Sequence, residues 1–248
     1  IIIYLLFYFK KKYETKIIPR LQTYSRSNLF SSLIDKYSEN YKSLKMGSTI
    51  SKINSLTLFF KDFFVNFIML IFPNICILVL LSIVILFINK NLGLLLFLSI
   101  ILFIIIVLLF KNSIFILKNK AENYYFNVTD NNLVDIYSSL INTYLNNNEI
   151  KEKDRISNDQ NIYNIHLSNI SSEEGKLSCI LYLLSLITII ISFLYIINLK
   201  NINNKNKILI IILLIYFVNI LILLSKYIPW FLRLYGILLN SKIYIKNI

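Results

Sequence analysis

"FFVNFIMLIFPNICILVLLSIVILFINKNLGLLLFLSIILFIIIVLLF", residues 63–110, contains a single charged residue, Lys90. A run of about 20 apolar residues is enough to carry a helix across the hydrocarbon core of a bilayer. This stretch supplies two such windows, Phe63–Ile88 and Leu92–Phe110, separated only by Asn89, Lys90 and Asn91. The expected arrangement is a hairpin of two membrane helices with a short turn, the first helix kinked near Pro73.

Two further windows lack Lys, Arg, Asp and Glu, namely Leu177–Leu199 and Ile208–Leu224. The last is short, but "SKYIPWFLRLYGILL", residues 225–239, continues it with a bend near Pro229 and places Tyr227 and Trp230 at an interface. The opening "IIIYLLFYF" has no charged residues before it and is followed by "KKKYETK", without a small-residue cleavage site. It reads as the end of a membrane helix that starts upstream, not as a signal peptide. The chain is thus expected to hold one partial and four complete spans. Composition agrees: 56% of residues are hydrophobic, 16% are charged and the mean hydropathy is +0.65, whereas soluble domains are about a quarter charged.

All but four of the 26 basic residues, and all 13 acidic ones, fall in segments 10–62, 111–176 and 225–248. The short links 89–91 and 200–207 carry Lys90, Lys200, Lys205 and Lys207. The positive-inside rule places the three long segments in the cytoplasm, or on the equivalent side of an organelle, with the lysines of 200–207 a local exception. The net charge of +13 then reflects topology and contact with anionic lipid, and no RNA-binding aromatic motif or zinc knuckle points to nucleic acid. Two glycosylation sequons, at Asn127 and Asn169, lie in the second long segment. In a glycosylating membrane system neither should be modified; efficient glycan addition at either would invert the topology.

Few residues suggest chemistry. His166 is the sole histidine, so a multi-His metal site is excluded. Cys76 and Cys179 form no CxxC pair and read as ordinary buried thiols. Asn146-Asn147-Asn148 reads as the compositional bias of an AT-rich coding sequence. The four glycines, Gly47, Gly93, Gly175 and Gly236, are spaced so that no phosphate-binding G-x-x-x-x-G-K-[ST] loop exists. The spans carry no charged residue, which argues against proton coupling and voltage sensing. Asn66, Asn74, Ser185, Thr188 and Asn219 are polar positions within them that either line a pathway or hydrogen-bond between helices, the latter being the more ordinary role.

The two inner polar segments, 10–62 and 111–176, are far longer than helix links require. Leu29, Phe30, Leu33, Ile34, Tyr37, Tyr41 and Leu44 recur at helical spacing, as do Leu133, Ile136, Leu140, Tyr144 and Leu145. Each segment either projects as a helical hairpin, reaching on the order of 40 Å, or lies on the membrane surface as an amphipathic helix. Asp35, Glu39, Asp135, Glu149, Glu152 and Asp154 weigh against an anionic surface.

"RSNLFSSLIDKYSENYKSLKMGSTISKI", residues 26–53, resembles the stretch after the second membrane helix of ABC exporters in its Arg26, Leu29-Phe30, Gly47 and Ile50-Ser51-Lys52-Ile53. "NNLVDIYSSLINTYLNNNEIKEKDR", residues 131–155, resembles the second inner loop of the same family. The resemblance implies an all-α, polytopic helical membrane bundle with long helices projecting into the cytoplasm. It divides the chain into the end of a second helix (1–34), a first inner loop (35–52), a third helix (53–88), a fourth (92–125), a second inner loop (126–160), a fifth helix (161–199) and a sixth (208–247).

The resemblance also implies coupling helices near Tyr37–Leu44 and Val134–Leu145 that dock on an ATPase domain. Tyr37, Asn40, Tyr41, Leu44, Asp135, Ile136, Ser139 and Leu140 are the implied contacts, and packing within the hairpins is the bland alternative for each. Gly47 would relieve the turn into the third helix, or cap a helix. ATP and magnesium would be held by a fused or separate nucleotide-binding domain, with a second copy or homologous half completing the transporter. A membrane scaffold or accessory subunit of an organellar respiratory complex shares the composition, but has no reason for two long inner hairpins. A small channel would need a polar stripe that the spans lack.

Overall fold

The computed structural model describes residues 2–37, 46–198 and 204–247. Its elements are all helical, with no strand among the described residues: α1 (Ile2–Tyr37), α2 (Met46–Asn66), a π-turn (Phe67–Ile71), α3 (Phe72–Ile88), α4 (Lys90–Tyr124), a second π-turn (Tyr125–Thr129), α5 (Asp130–Ser138), α6 (Leu140–Leu145), α7 (Glu149–Asn198) and α8 (Asn204–Asn247). Four stretches are long and apolar enough to cross a membrane: Ile53–Ile88, Lys90–Tyr124, Glu149–Asn198 and Asn206–Gly236. In hydrocarbon, a backbone that meets no water must satisfy its own N–H and C=O groups, and a helix does so within one segment. The surface agrees, since Leu80, Phe87, Leu98, Leu109, Ile197 and Tyr216 are all exposed. Such an apolar exterior fits an integral membrane protein.

Pro73 acts on the first span as its chemistry requires. Its ring removes one backbone donor and crowds the preceding turn. The chain responds with the π-turn just before it, where the Phe72 N–H donates to the Phe67 carbonyl, five residues back. Asn74 Nδ2 donates to the Leu70 carbonyl at 2.6 Å, giving a disturbed carbonyl a side-chain partner. At Pro229 no π-turn forms, and α8 stays helical through it.

Only Asn89 stands between α3 and α4. Its backbone is extended (φ −146°, ψ 107°), and its side-chain oxygen accepts the Leu92 N–H at 3.1 Å. Asn89 therefore caps α4 in the manner asparagine favours. Gly93 lies in the next turn, where the two helices touch. A β-carbon there would sit 2.4 Å from Leu86 Cα, so only glycine allows this approach.

The chain forms two compact units, residues 1–65, 118–167 and 234–248 in one, and 66–117 and 168–233 in the other. The second is the apolar one. Each of its helices buries a stripe at three- and four-residue steps: Leu78, Ser82 and Ile85 on α3; Leu92, Leu96, Ser99 and Phe103 on α4; Leu177, Leu181, Ser185, Thr188, Ser192 and Ile196 on α7. Small hydroxyl residues recur in these stripes, as expected where membrane helices approach closely. The first unit buries Ile53, Leu56 and Ala121, and also an ion pair, Lys118 to Glu122 at 2.5 Å.

Cys76 and Cys179 are both exposed and free, not buried as composition suggested. They sit on helix faces turned away from the apolar core, where a small apolar thiol is at ease against lipid.

Candidate functional site

The second inner segment builds a defined feature of the first unit. After the π-turn at Tyr125–Thr129, α5 is short and ends at Ser139, whose backbone (φ −110°, ψ 21°) leaves the helical region. Its N–H is shared between the carbonyls of Asp135 (3.1 Å) and Ile136 (3.2 Å). One more turn and a half, α6, leads to the reversal.

Asn146-Asn147-Asn148 makes that reversal and is not merely compositional. Asn147 adopts φ 51°, the one positive φ among the described non-glycine residues. The Asn148 N–H donates to Thr143 O at 3.0 Å and the Asn147 N–H to Tyr144 O at 3.2 Å. These are the paired bonds of a Schellman ending, with asparagine in the position usually given to glycine. The Asn148 carbonyl then accepts the Glu152 N–H at 3.0 Å and α7 begins. Residues 149–160 are thus the first turns of α7, the returning arm of the second inner segment.

A polar network ties α5 to α7. Asp159 accepts from Asn132 Nδ2 at 2.5 Å and from the Tyr124 hydroxyl at 3.4 Å. Arg155 donates to Asn132 Oδ1 at 2.5 Å and pairs with Glu152 at 3.4 Å. Two ring contacts extend the clamp, Tyr124 with His166 at 5.5 Å and Tyr125 with Tyr163 at 5.1 Å. His166 is therefore occupied in packing.

The clamp leaves one side of the reversal bare. Tyr137, Ile141, Tyr144, Leu145 and Ile150 are between 59% and 76% exposed. Five large apolar side chains are thus exposed around the reversal of an otherwise polar segment, a concentration that water does not favour. Of the residues expected here, Asp135 and Leu140 are exposed, while Ile136 and Ser139 are half-buried. Tyr137, Ile141, Tyr144 and Leu145 stand at i, i+4, i+7 and i+8, one helical face beside the one that carries Ile136.

The first inner segment is less informative. Tyr37 closes α1, whereas Asn40, Tyr41 and Leu44 lie outside the described residues. Gly47 is the second residue of α2, in helical structure.

Ser185 and Thr188 are buried, and each hydroxyl donates to its own helix, to Tyr182 O at 2.7 Å and Leu184 O at 2.8 Å. Asn74 bonds its own helix too, Asn66 is half-buried and Asn219 is exposed. None of them lines the cavity of about 250 Å³ in the second unit, whose walls are apolar throughout. Among the described residues, no group of three or more His, Cys, Asp or Glu side chains is placed to hold a metal.

No protein-family model matches the chain, and no match is found among curated proteins.

Proposed function

We propose that the chain is the membrane-spanning part of an ATP-driven exporter of the ABC type, with the reversal at residues 130–150 acting as a coupling element on the cytoplasmic side. The observation that carries this reading is the exposure of Tyr137, Ile141, Tyr144, Leu145 and Ile150. A clamped helical reversal that presents exposed apolar side chains suits docking in the groove of a soluble partner. The partner is an ATPase domain, fused or separate, which holds ATP and magnesium. A second copy or homologous half completes the translocation pathway. Closure of two ATPase domains then favours one arrangement of the membrane helices over another, which is the thermodynamic requirement for coupling.

Photo-crosslinking residues at 141 and 145, introduced into the full-length protein in its native membrane, test this. The expected adduct is with an ATPase domain, and its yield should change when ATP is trapped. Adducts only with other membrane subunits would replace the transporter reading by that of a scaffold or accessory subunit.

A further inference from the structure

We propose that the outward face of α1 binds the anionic phospholipid headgroups of the leaflet beside it, through Lys12, Lys16 and Arg20. These residues stand at i, i+4 and i+8 of one helix, so their side chains share a stripe. All three are exposed, and none has an ion-pair partner among the described residues. The opposite side of α1 is committed to packing, since Ile18, Leu21, Gln22, Ser25 and Leu29 recur at helical spacing and are half-buried. Residues 10–34 include six basic residues and one acidic residue, Glu14. Glu14 stands one turn before Ile18, on the packing side. The outward face is therefore cationic without interruption.

Charge and position identify the occupant. Residues 2–9 carry no charge, and the basic run begins directly after them. Along the helix, Lys12, Lys16 and Arg20 follow Phe9 by roughly 5, 10 and 16 Å. Helical side chains lean toward the N-terminus of their helix, here toward the apolar residues, and long basic stems carry the charge farther the same way. With residues 2–9 in hydrocarbon, all three cations lie within about one Debye length, roughly 8–10 Å, of the headgroup layer. Tyr13 and Ile17 flank the stripe and are 63% and 57% exposed. An interface covers such side chains, and tyrosine is enriched at that level of a bilayer.

The second inner segment supplies the contrast. Residues 121–150 hold four acidic residues and no basic one. An anionic leaflet repels that stretch and attracts α1, so the exposed apolar side chains of the two segments meet different surroundings. An acidic protein surface would satisfy the cations of α1, but not the apolar residues that lead into them. The inference does not depend on the transport reading.

The test uses the full chain in vesicles of phosphatidylcholine with phosphatidylglycerol, each lipid in turn carrying a photoactivatable group next to its phosphate. Labels should map to residues 12–20, with the anionic probe favoured at least about fivefold, the equivalent of one basic residue near an anionic surface. The preference should fall toward unity in 1 M salt, where the Debye length is about 3 Å. Lys12→Gln, Lys16→Gln and Arg20→Gln combined should equalise the two probes. Lys12→Arg, Lys16→Arg and Arg20→Lys combined should keep the preference, as should Lys151→Gln with Lys153→Gln. If the glutamine variant loses helical content, Lys16→Glu alone replaces it and should lower the preference more than Lys16→Gln. Equal labelling of the unaltered protein by the two probes would overturn the proposal, as would a preference that survives the glutamine variant. So would crosslinks from residues 12–20 to protein alone, whether an acidic partner or residues 121–150 of a second copy.

Discussion

Replacing Gly93 by alanine is expected to destabilise the protein by about 1–3 kcal/mol, the usual range for forcing extra atoms into a closed contact. The added β-carbon would lie 2.4 Å from Leu86 Cα and 2.7 Å from its backbone nitrogen. Neither can move without moving α3, because both belong to the helix backbone. The turn gives no slack either: only Asn89 separates the two helices, and its backbone and side chain both cap α4. The strain must therefore open the hairpin near its closed end. Gly175→Ala is the internal control, since nothing among the described residues lies within 4 Å of a β-carbon there. In the middle of α7, that change should stabilise by about 0.5–1 kcal/mol, the cost of a helical glycine relative to alanine. Thermal unfolding of the two variants in one detergent checks the pair. Equal behaviour would mean that α3 and α4 do not touch at Gly93.

The four spans were legible because charge vanishes from the windows that must lie in hydrocarbon, and no local structure can disguise that. The α3–α4 turn was legible for the same reason, since Lys90, flanked by Asn89 and Asn91, is the only charged residue in 63–110. Faces were harder to read. Two apolar faces lie side by side in this segment, one through Ile136 and one through Tyr137 and Ile141, and spacing alone does not say which of them stays exposed. Nor could it show that Ser185 and Thr188 spend their hydroxyl hydrogens on their own helix, because a neighbouring helix was an equally good partner on paper. Compositional bias accounts for the asparagine run equally well, and so masks its role. A stronger cue was available: asparagine tolerates the left-handed region better than other non-glycine residues, and Asn147 stands between two apolar helical patterns. The burial of Cys76 and Cys179 was misjudged because in lipid the outer face of a helix is as apolar as its core, so an apolar setting does not imply an inward one.

The second large effect is expected at Arg233 and Glu174. Arg233 Nε donates to one Glu174 carboxylate oxygen at 2.6 Å and its Nη2 donates to the other, so the pair is bidentate between α8 and α7. The side chains are 26% and 14% exposed, beside apolar core positions Leu177 and Leu232. Removing one partner of a fully buried pair costs about 3–5 kcal/mol, mainly by stranding the other charge. With this partial exposure, Glu174→Ala should cost about 1–3 kcal/mol. Arg233→Lys should not restore the loss seen in Arg233→Ala, because an ammonium cannot reproduce the planar fork. The double variant Arg233→Met with Glu174→Leu should recover most of the stability, since no charge then remains unpaired. Lys176 and Glu173 supply the contrast: their contact is 2.5 Å, but Lys176 is 61% exposed, so Lys176→Ala should change stability by less than about 0.5 kcal/mol. A double-mutant cycle on thermal unfolding reads the coupling of the first pair directly. A coupling near zero would mean that the close geometry does not fix α7 against α8. The core cluster that holds Leu177 and Leu181 of α7 with Leu224, Ile228 and Leu232 of α8 would then have to hold the register alone. Apolar positions of this kind repeat about every turn and tolerate a one-turn slip far better than a bidentate ion pair does. The pair is therefore the feature in this unit most able to select one register from several of similar packing energy.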